Sequence, residues 1–225
     1  MSAESIRVAL SWSGGKDAAW TLHRLRATPE VEVVALVTTV VPAFERVAMH
    51  GVRVELLRVQ ARAAGVPLVE VPLSWPSTNE EYEARVGGAL AALRAERGVT
   101  HVAFGDLFLT EVREYRERML QGSGLTPLFP LWKEPTGPLV REMVAAGLEA
   151  RIVCLDPGRV GRELAGRRID AALLAGLPNH IDPCGELGEF HTFVSAGPML
   201  REPIQVAPGV VVERDGFVYA DLTLA

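Results

Sequence analysis

The run Val8-Ala9-Leu10-Ser11-Trp12-Ser13-Gly14-Gly15-Lys16-Asp17-Ala18-Ala19-Trp20 constrains the fold of this chain more than any other stretch. Arg7 to Leu10 predicts a short buried strand, and Ala18 to Leu25 repeats apolar residues at helical spacing. Between them, Ser13-Gly14-Gly15-Lys16-Asp17 supplies what a phosphate cradle needs. Two glycines let the backbone bend around an anion with no Cβ in the way. The first free N–H groups of the helix then face the ligand, backed by the positive end of the helix dipole. Ser13 adds a hydroxyl donor and Lys16 a mobile positive charge. The spacing is neither the Walker pattern nor the G-x-G-x-x-G fingerprint. A bare glycine turn before a helix, with Asp17 in its first turn, is the simpler alternative. The serine and lysine favour a nucleotide site.

The following segments alternate. Val31 to Val40 is a nearly continuous β-branched run, expected of a parallel strand buried on both faces. Val52 to Ala64 carries a helical stripe closed by Gly65, and Val66 to Leu73 is a third strand whose prolines predict a position near an edge or at strand ends. A long helix opens at Thr78 or Asn79 and runs to Gly98. Val99 to Asp106 is a fourth strand, and Thr110 to Gln121 a charged helix. This alternation predicts an α/β fold, a doubly wound parallel sheet. Ligands of such sheets bind beyond the carboxyl ends of the strands. Ser11, the Ser13–Asp17 loop, Thr38, Thr39, Phe104, Gly105 and Asp106 lie at such ends and are expected to face one cleft.

From Gly122 the texture changes, with Gly124, Pro127, Pro130, Pro135 and Pro138 interrupting any long element. Helices are expected near Pro138–Ala146, Val160–Leu164 and Asp170–Ala175, with a strand at Ala150–Leu155. Further strands are expected around Phe193–Val194, around Ile204–Val206, and on both sides of an Arg214-Asp215-Gly216 hairpin turn. The expected division is a nucleotide-binding domain at residues 1–127 and a smaller α+β substrate-binding domain at 128–225.

His180 to Thr192 is the second chemical patch, with Asp182, Glu186, Glu189, His180, His191 and Cys184 around Gly185 and Gly188. Such a set can bind a cation through carboxylates, orient an amine, or move protons. Its alternative is a solvated loop whose acids cap backbone donors. Cys184 and His191 lack paired zinc spacing, and they form a nucleophilic pair only if the fold makes them meet. Two cysteines, Cys154 and Cys184, make no disulfide framework. A net charge of −5 opposes a broad nucleic-acid surface. No apolar run approaches the roughly 20 residues that cross a bilayer, and Met1 to Arg7 shows no secretory signal. A cytoplasmic protein is expected.

Ser13-Gly14-Gly15-Lys16-Asp17 resembles S-G-G-x-D-S, the pyrophosphate-binding loop of ATP pyrophosphatases, with Ala18 in place of the second serine. Phe104-Gly105-Asp106 and Leu128-Phe129-Pro130-Leu131-Trp132 follow in order. Gly185-Glu186-Leu187-Gly188-Glu189-Phe190-His191-Thr192 resembles the G-E-N-G-E-[FY]-H-T signature, with Leu187 in place of asparagine. Over almost its full length the chain resembles the diphthine–ammonia ligase family, within the HUP (Rossmann-like) nucleotide-binding enzymes. That resemblance implies an ATP-dependent, AMP-forming amide ligase that adenylates a carboxylate and transfers ammonia. The cofactors implied are ATP and Mg²⁺, with Asp17 either capping the helix or holding the metal.

Lys16, Asp17, Glu186, Glu189 and His191 would be catalytic. Ser11, Ser13, Gly14, Gly15, Lys16, Asp17, Thr38, Thr39, Phe104, Gly105 and Asp106 would hold ATP. Glu186, Gly188, Glu189, Phe190, His191 and Thr192 would face the acyl substrate, which is diphthine or a small molecule. Leu187 would remove an amide from that side. The alternatives are a tRNA-modifying relative and a non-catalytic ATP or AMP sensor. A homodimer is compatible with these readings.

Among the remaining residues, Trp12 and Trp20 are expected in the core, and Trp132 in the core or lining the cleft between the domains. His23 and His50 have no evident partner. Arg113, Arg116 and Arg118 read as a solvated helix face rather than a site for an acidic ligand.

Overall fold

The computed structural model describes residues 5–48 and 51–225, so the reading of His50 lies outside the described residues. In chain order the elements begin with β1 (Ile6–Ser11), α1 (Lys16–Arg26), β2 (Val31–Val41) and β3 (Arg46–Val47). There follow α2 (Val54–Ala64), β4 (Leu68–Pro72), α3 (Asn79–Arg97), β5 (His101–Ala103), α4 (Thr110–Leu120) and β6 (Thr126–Leu128). The remainder comprises α5 (Thr136–Ala145), β7 (Glu149–Leu155), α6 (Ala171–Gly176), β8 (Phe190–Ala196), β9 (Val206–Arg214) and β10 (Phe217–Leu224).

The first sheet runs β3-β2-β1-β5-β6, with β4 also paired to β2. Its pairings are parallel except that of β3. This is the doubly wound, Rossmann-like sheet expected from the alternation of strands and helices. The run from Val31 is an inner strand whose β-branched residues are buried on both faces, and proline-bounded β4 pairs only with β2. Thr78 caps α3, its Oγ1 accepting the Glu81 N–H at 3.2 Å. The second sheet, β8-β7-β10-β9, is antiparallel. Asp215 and Gly216, at φ 51° and 81°, turn β9 into β10.

One hydrophobic core joins the two sheets. It takes Val8, Leu10 and Leu36 from one face of the first sheet, Trp20 and Leu22 from α1, and Leu56 and Leu57 from α2. It continues into Ile152, Leu155, Phe193 and Val194 of the second sheet. The opposite face of the first sheet, with Ala9, Ala35 and Val37, packs on Val86, Leu90 and Leu93 of α3 and on Leu120 of α4. Trp12 and Trp20 are buried, as expected of core residues.

Three local expectations change. Val160–Leu164 forms no α-helix but a single tight turn at Arg162–Leu164, too short to bury a helical stripe. Ile204 belongs to no strand, and β9 begins only at Val206. Leu128, read as opening the second unit, still pairs with Ala103, so the first sheet ends on it.

Candidate functional site

A cleft of about 680 Å³ opens at the carboxyl end of the first sheet, under the loop that precedes β8. Its walls include Ser11, Ser13, Gly15, Lys16, Asp17, Thr38, Thr39, Phe104, Gly105 and Asp106 from the first sheet and its loops. Glu186, Gly188, Phe190, His191 and Thr192 come from the other side. The glycine loop and the loop before β8, separated by more than half the sequence, therefore meet at one cavity.

The glycine loop is shaped by neighbours as well as by its own residues. Gly14 has φ +79°, and a Cβ there would stand 3.0 Å from Gln60 Oε1 and Leu57 Cδ1. Its Cβ direction points toward α2, and it does not line the cleft wall. Its carbonyl accepts from Gln60 Nε2 at 3.0 Å and from the Val194 N–H at 2.9 Å. The same Gln60 donates to the Val194 carbonyl at 2.7 Å and accepts from Trp12 Nε1 at 2.8 Å. Gln60 is fully buried, so its amide ties the loop, α2 and β8 together where no water competes. A Cβ on Gly15 would lie 3.1 Å from the Thr192 carbonyl oxygen, so glycine there lets the loop pack closely on β8.

Lys16 is buried, and its backbone N–H donates to Thr192 Oγ1 at 3.0 Å. Its ammonium contacts both Asp17 oxygens at 2.7 and 2.9 Å and donates to the Cys184 carbonyl. Burial pulls the Lys16 pKa down, but Asp17 outweighs this and holds it above its ordinary value. Burial likewise lifts Asp17, against the pull of Lys16. An ion pair between neighbouring residues is thus fixed under the loop. Ala18 is buried beside Gly105, whose Cβ position lies 3.1 Å from the Ala18 nitrogen.

Glu186 reaches across the cleft, its Oε1 accepting the Leu107 N–H at 2.8 Å. Its own N–H donates to Asp182 Oδ2 at 2.9 Å. Burial pushes the Glu186 carboxyl up to about 7; the Leu107 bond opposes this, and Asp17 adds to it. Gly185, at φ +73°, permits the turn, because a Cβ there would stand 2.7 Å from the Phe190 carbonyl oxygen.

Other expectations for this loop need correction. Glu189 is buried behind the wall, where its Oε1 accepts the Asp182 N–H at 3.0 Å and braces the loop instead of facing a substrate. Leu187 is exposed and outside the cleft wall, so asparagine at this position would add no amide to the cavity. The Cys184 thiol is pushed up to about 12 by burial and lies 3.5 Å from the Thr136 carbonyl oxygen. Trp132 also lies outside the cleft wall, under the guanidinium of Arg113. His23 does have a partner, since its ring packs on Trp20 at 4.5 Å.

Arg116, grouped above with a solvated face, instead lines the cavity. Its Nη1 donates to Tyr82 Oη at 2.9 Å, its guanidinium covers the Phe104 ring, and its Nε stands 3.6 Å from Asp106 Oδ2. Both of the latter atoms are buried without a hydrogen-bond partner, as is Thr38 Oγ1. Burial raises the Asp106 carboxyl despite Arg116. Among the described residues, no three histidine, cysteine or acidic side chains converge on a metal position. No described helix is long and apolar enough to cross a membrane.

Comparison with known families fits this arrangement. The family model described as the diphthamide synthase N-terminal domain matches residues 6–127, and that of the diphthamide synthase C-terminal domain matches residues 135–219. A diphthine–ammonia ligase of Rattus norvegicus is 25% identical over 94% of this chain and 88% of its own length. A diphthine–ammonia ligase of Schizosaccharomyces pombe is 28% identical over 50% of this chain, a match that spans only 19% of that relative. With two family models in order over the two sheets, the chain belongs to the diphthamide synthase family.

Proposed function

We propose that this chain is an ATP-dependent, AMP-forming amide ligase with ammonia as co-substrate. The observation that carries the reading is the buried Lys16 ammonium beneath a glycine loop at a helix start, facing Glu186 across one cavity. The diphthine–ammonia ligase relatives support it. In the reaction a carboxylate oxygen of the substrate attacks the α-phosphorus of ATP, and the bond to the bridging oxygen of the β-phosphate breaks. Pyrophosphate leaves with that electron pair. Ammonia then attacks the acyl carbon, and AMP departs as the amide forms.

Charge is the obstacle in the first step, because one anion approaches another while a third is released. Lys16 and the N–H groups that open α1 would stabilise the pyrophosphate by preorganised electrostatics. Thr192 Oγ1, which accepts the Lys16 N–H, must yield that donor to a phosphate oxygen. In the second step Glu186, its carboxyl raised to about 7, is poised to take a proton from the attacking nitrogen. His191 stands half-buried on the same wall. Thr38, with its buried unpartnered hydroxyl, and Thr39 would contact adenosine.

The residues present fit Mg²⁺ in one limited way. Magnesium is commonly held by one or two carboxylates together with phosphate oxygens, and Asp17 at the loop mouth offers that carboxylate. The ion would supply further neutralisation of the phosphates.

The test is AMP and pyrophosphate release across a panel of acids with ammonia, beside calorimetric titration with ATP. Lys16→Ala should lower AMP formation at least ~100-fold. Full AMP formation in that variant would overturn the assignment. Tight ATP binding with no AMP from any acid would instead favour a nucleotide sensor, a reading consistent with Lys16 being already engaged by Asp17 and Cys184.

A further inference from the structure

Phosphates held at the glycine loop and Lys16 would fix one end of a nucleotide, so its base must reach another part of the cleft. The cleft runs from that loop to the carboxyl ends of β2 and β4, where its wall is made by Thr39, Val47, Ala48, Leu73 and Trp75. None of these carries a charge. Backbone bonds tie this wall to β2: the Ala48 N–H donates to the Thr39 carbonyl at 3.1 Å, and the Leu73 N–H to the Val40 carbonyl at 2.8 Å. Beside Trp75, the Ser74 N–H donates to Glu81 Oε1 at 2.9 Å, which pins the turn to α3.

Trp75 is the anomaly on this wall. Trp12, Phe104 and Phe190 also line the cleft, yet each is at most 3% exposed, and Tyr82 and Tyr115 are half-buried. Trp75 is 55% exposed. An indole left open to water forgoes much of its apolar burial, so it marks a surface that something else covers. Its ring meets Phe44 edge to face, with 6.1 Å between centroids, which steadies the indole without covering it. A purine base brings two flat faces and no charge, and an indole is a matching platform for it. The acyl substrate has the opposite requirement, since its carboxylate must come to the α-phosphate and the charged groups beside it.

We propose that the indole of Trp75 is the platform on which the nucleotide base stacks. ATP then lies with its phosphates on the glycine loop and its base against the β2–β4 end of the cleft. The proposal rests on the reading of the cleft as an ATP site and adds the residue that orients the nucleotide there. Trp75 takes no part in bond making, so binding and turnover can fail separately.

The experiment is calorimetric titration of the intact chain, Trp75→Ala and Trp75→Phe with ATP, AMP and inorganic tripolyphosphate. Tripolyphosphate brings the charge of the ATP tail without a base. Trp75→Ala should weaken ATP and AMP about tenfold or more and leave tripolyphosphate unchanged, because only the nucleotides lose a base–aromatic stack. Trp75→Phe should restore most of that affinity. ATP should also quench tryptophan fluorescence in the unaltered chain, and the quench should be largely absent in Trp75→Phe, which keeps Trp12, Trp20 and Trp132. Equal weakening of ATP and tripolyphosphate in Trp75→Ala would make the residue a prop for the phosphate loop and overturn the proposal. So would unchanged ATP and AMP affinity accompanied by a raised KM for the acid, which would give Trp75 to the acyl side. Silence of the unaltered chain toward ATP would overturn the ATP reading and this proposal with it. The expected binding pattern with no AMP formed from any acid would support the platform while the ligase reading fails.

Discussion

Glu186 concentrates the electrostatics of the site in one side chain. Its carboxyl is held at about 7 against an ordinary 4.5, so the folded protein retains a proton that the unfolded chain has released. Stability from this group is complete below about pH 4.5 and is lost as pH rises through about 7. Glu186→Gln keeps an acceptor for the Leu107 N–H and removes the titration. Denaturant melts from pH 4.5 to 8 should therefore show the wild type losing on the order of 1–2 kcal/mol relative to the variant. Gln60 works differently, with no charge and three hydrogen-bond partners at full burial. Gln60→Leu strands Trp12 Nε1 and takes one donor from each of the Gly14 and Val194 carbonyls, and should cost about 2–4 kcal/mol, read as a lower urea midpoint with unchanged slope. Nothing in the local pattern marks Gln60, which is one polar residue in a helical stripe. Its partners lie on other elements, the most distant of them 134 residues away. Lys16, by contrast, announces itself, because its neighbours in sequence build the loop that surrounds it.

Among elements, those set by periodicity were legible and those set by tertiary contact were not. The β-branched run of β2 and the capped stripe of α3 carry their own signals. The α4 surface carries a misleading one. Its arginines look alike in sequence, yet Arg113 stacks on Phe129 and Trp132, Arg116 enters the cleft, and Arg118 stays in solvent. Three residues advance a helix by little less than a full turn, so only the position of α3 decides which arginine is enclosed. The loop from Asp182 to Glu189 shows the same limit, since its acids divide between the cleft and the loop's own bracing. Its shape depends on a left-handed residue at Gly185. Gly185→Ala should destabilise the protein by about 1–3 kcal/mol and weaken ATP binding in calorimetry, because the Cys184 carbonyl that meets Lys16 moves with the turn.

For the molecule as a whole, the shared core matters more than the count of sheets. We propose a functional division at residues 127 and 128, with nucleotide on one side and acyl substrate on the other. That division is not one of folding, because α1 and α2 bury apolar surface against both sheets at once. Thermal unfolding followed by circular dichroism and by tryptophan fluorescence should give coincident single transitions. A fragment of residues 1–127 should show no cooperative melt.

The hydrogen bond from the Lys16 N–H to Thr192 spans 176 positions, and it bears on how the protein is made. During synthesis the glycine loop leaves the ribosome well before β8, which packs against it. Until then the loop lacks its backing strand and Lys16 lacks its neighbours at Cys184 and Thr192. While those residues are being made, the glycine loop stands without the partners that fix its shape, so the site closes only when two parts of the chain far apart in sequence have both been synthesised.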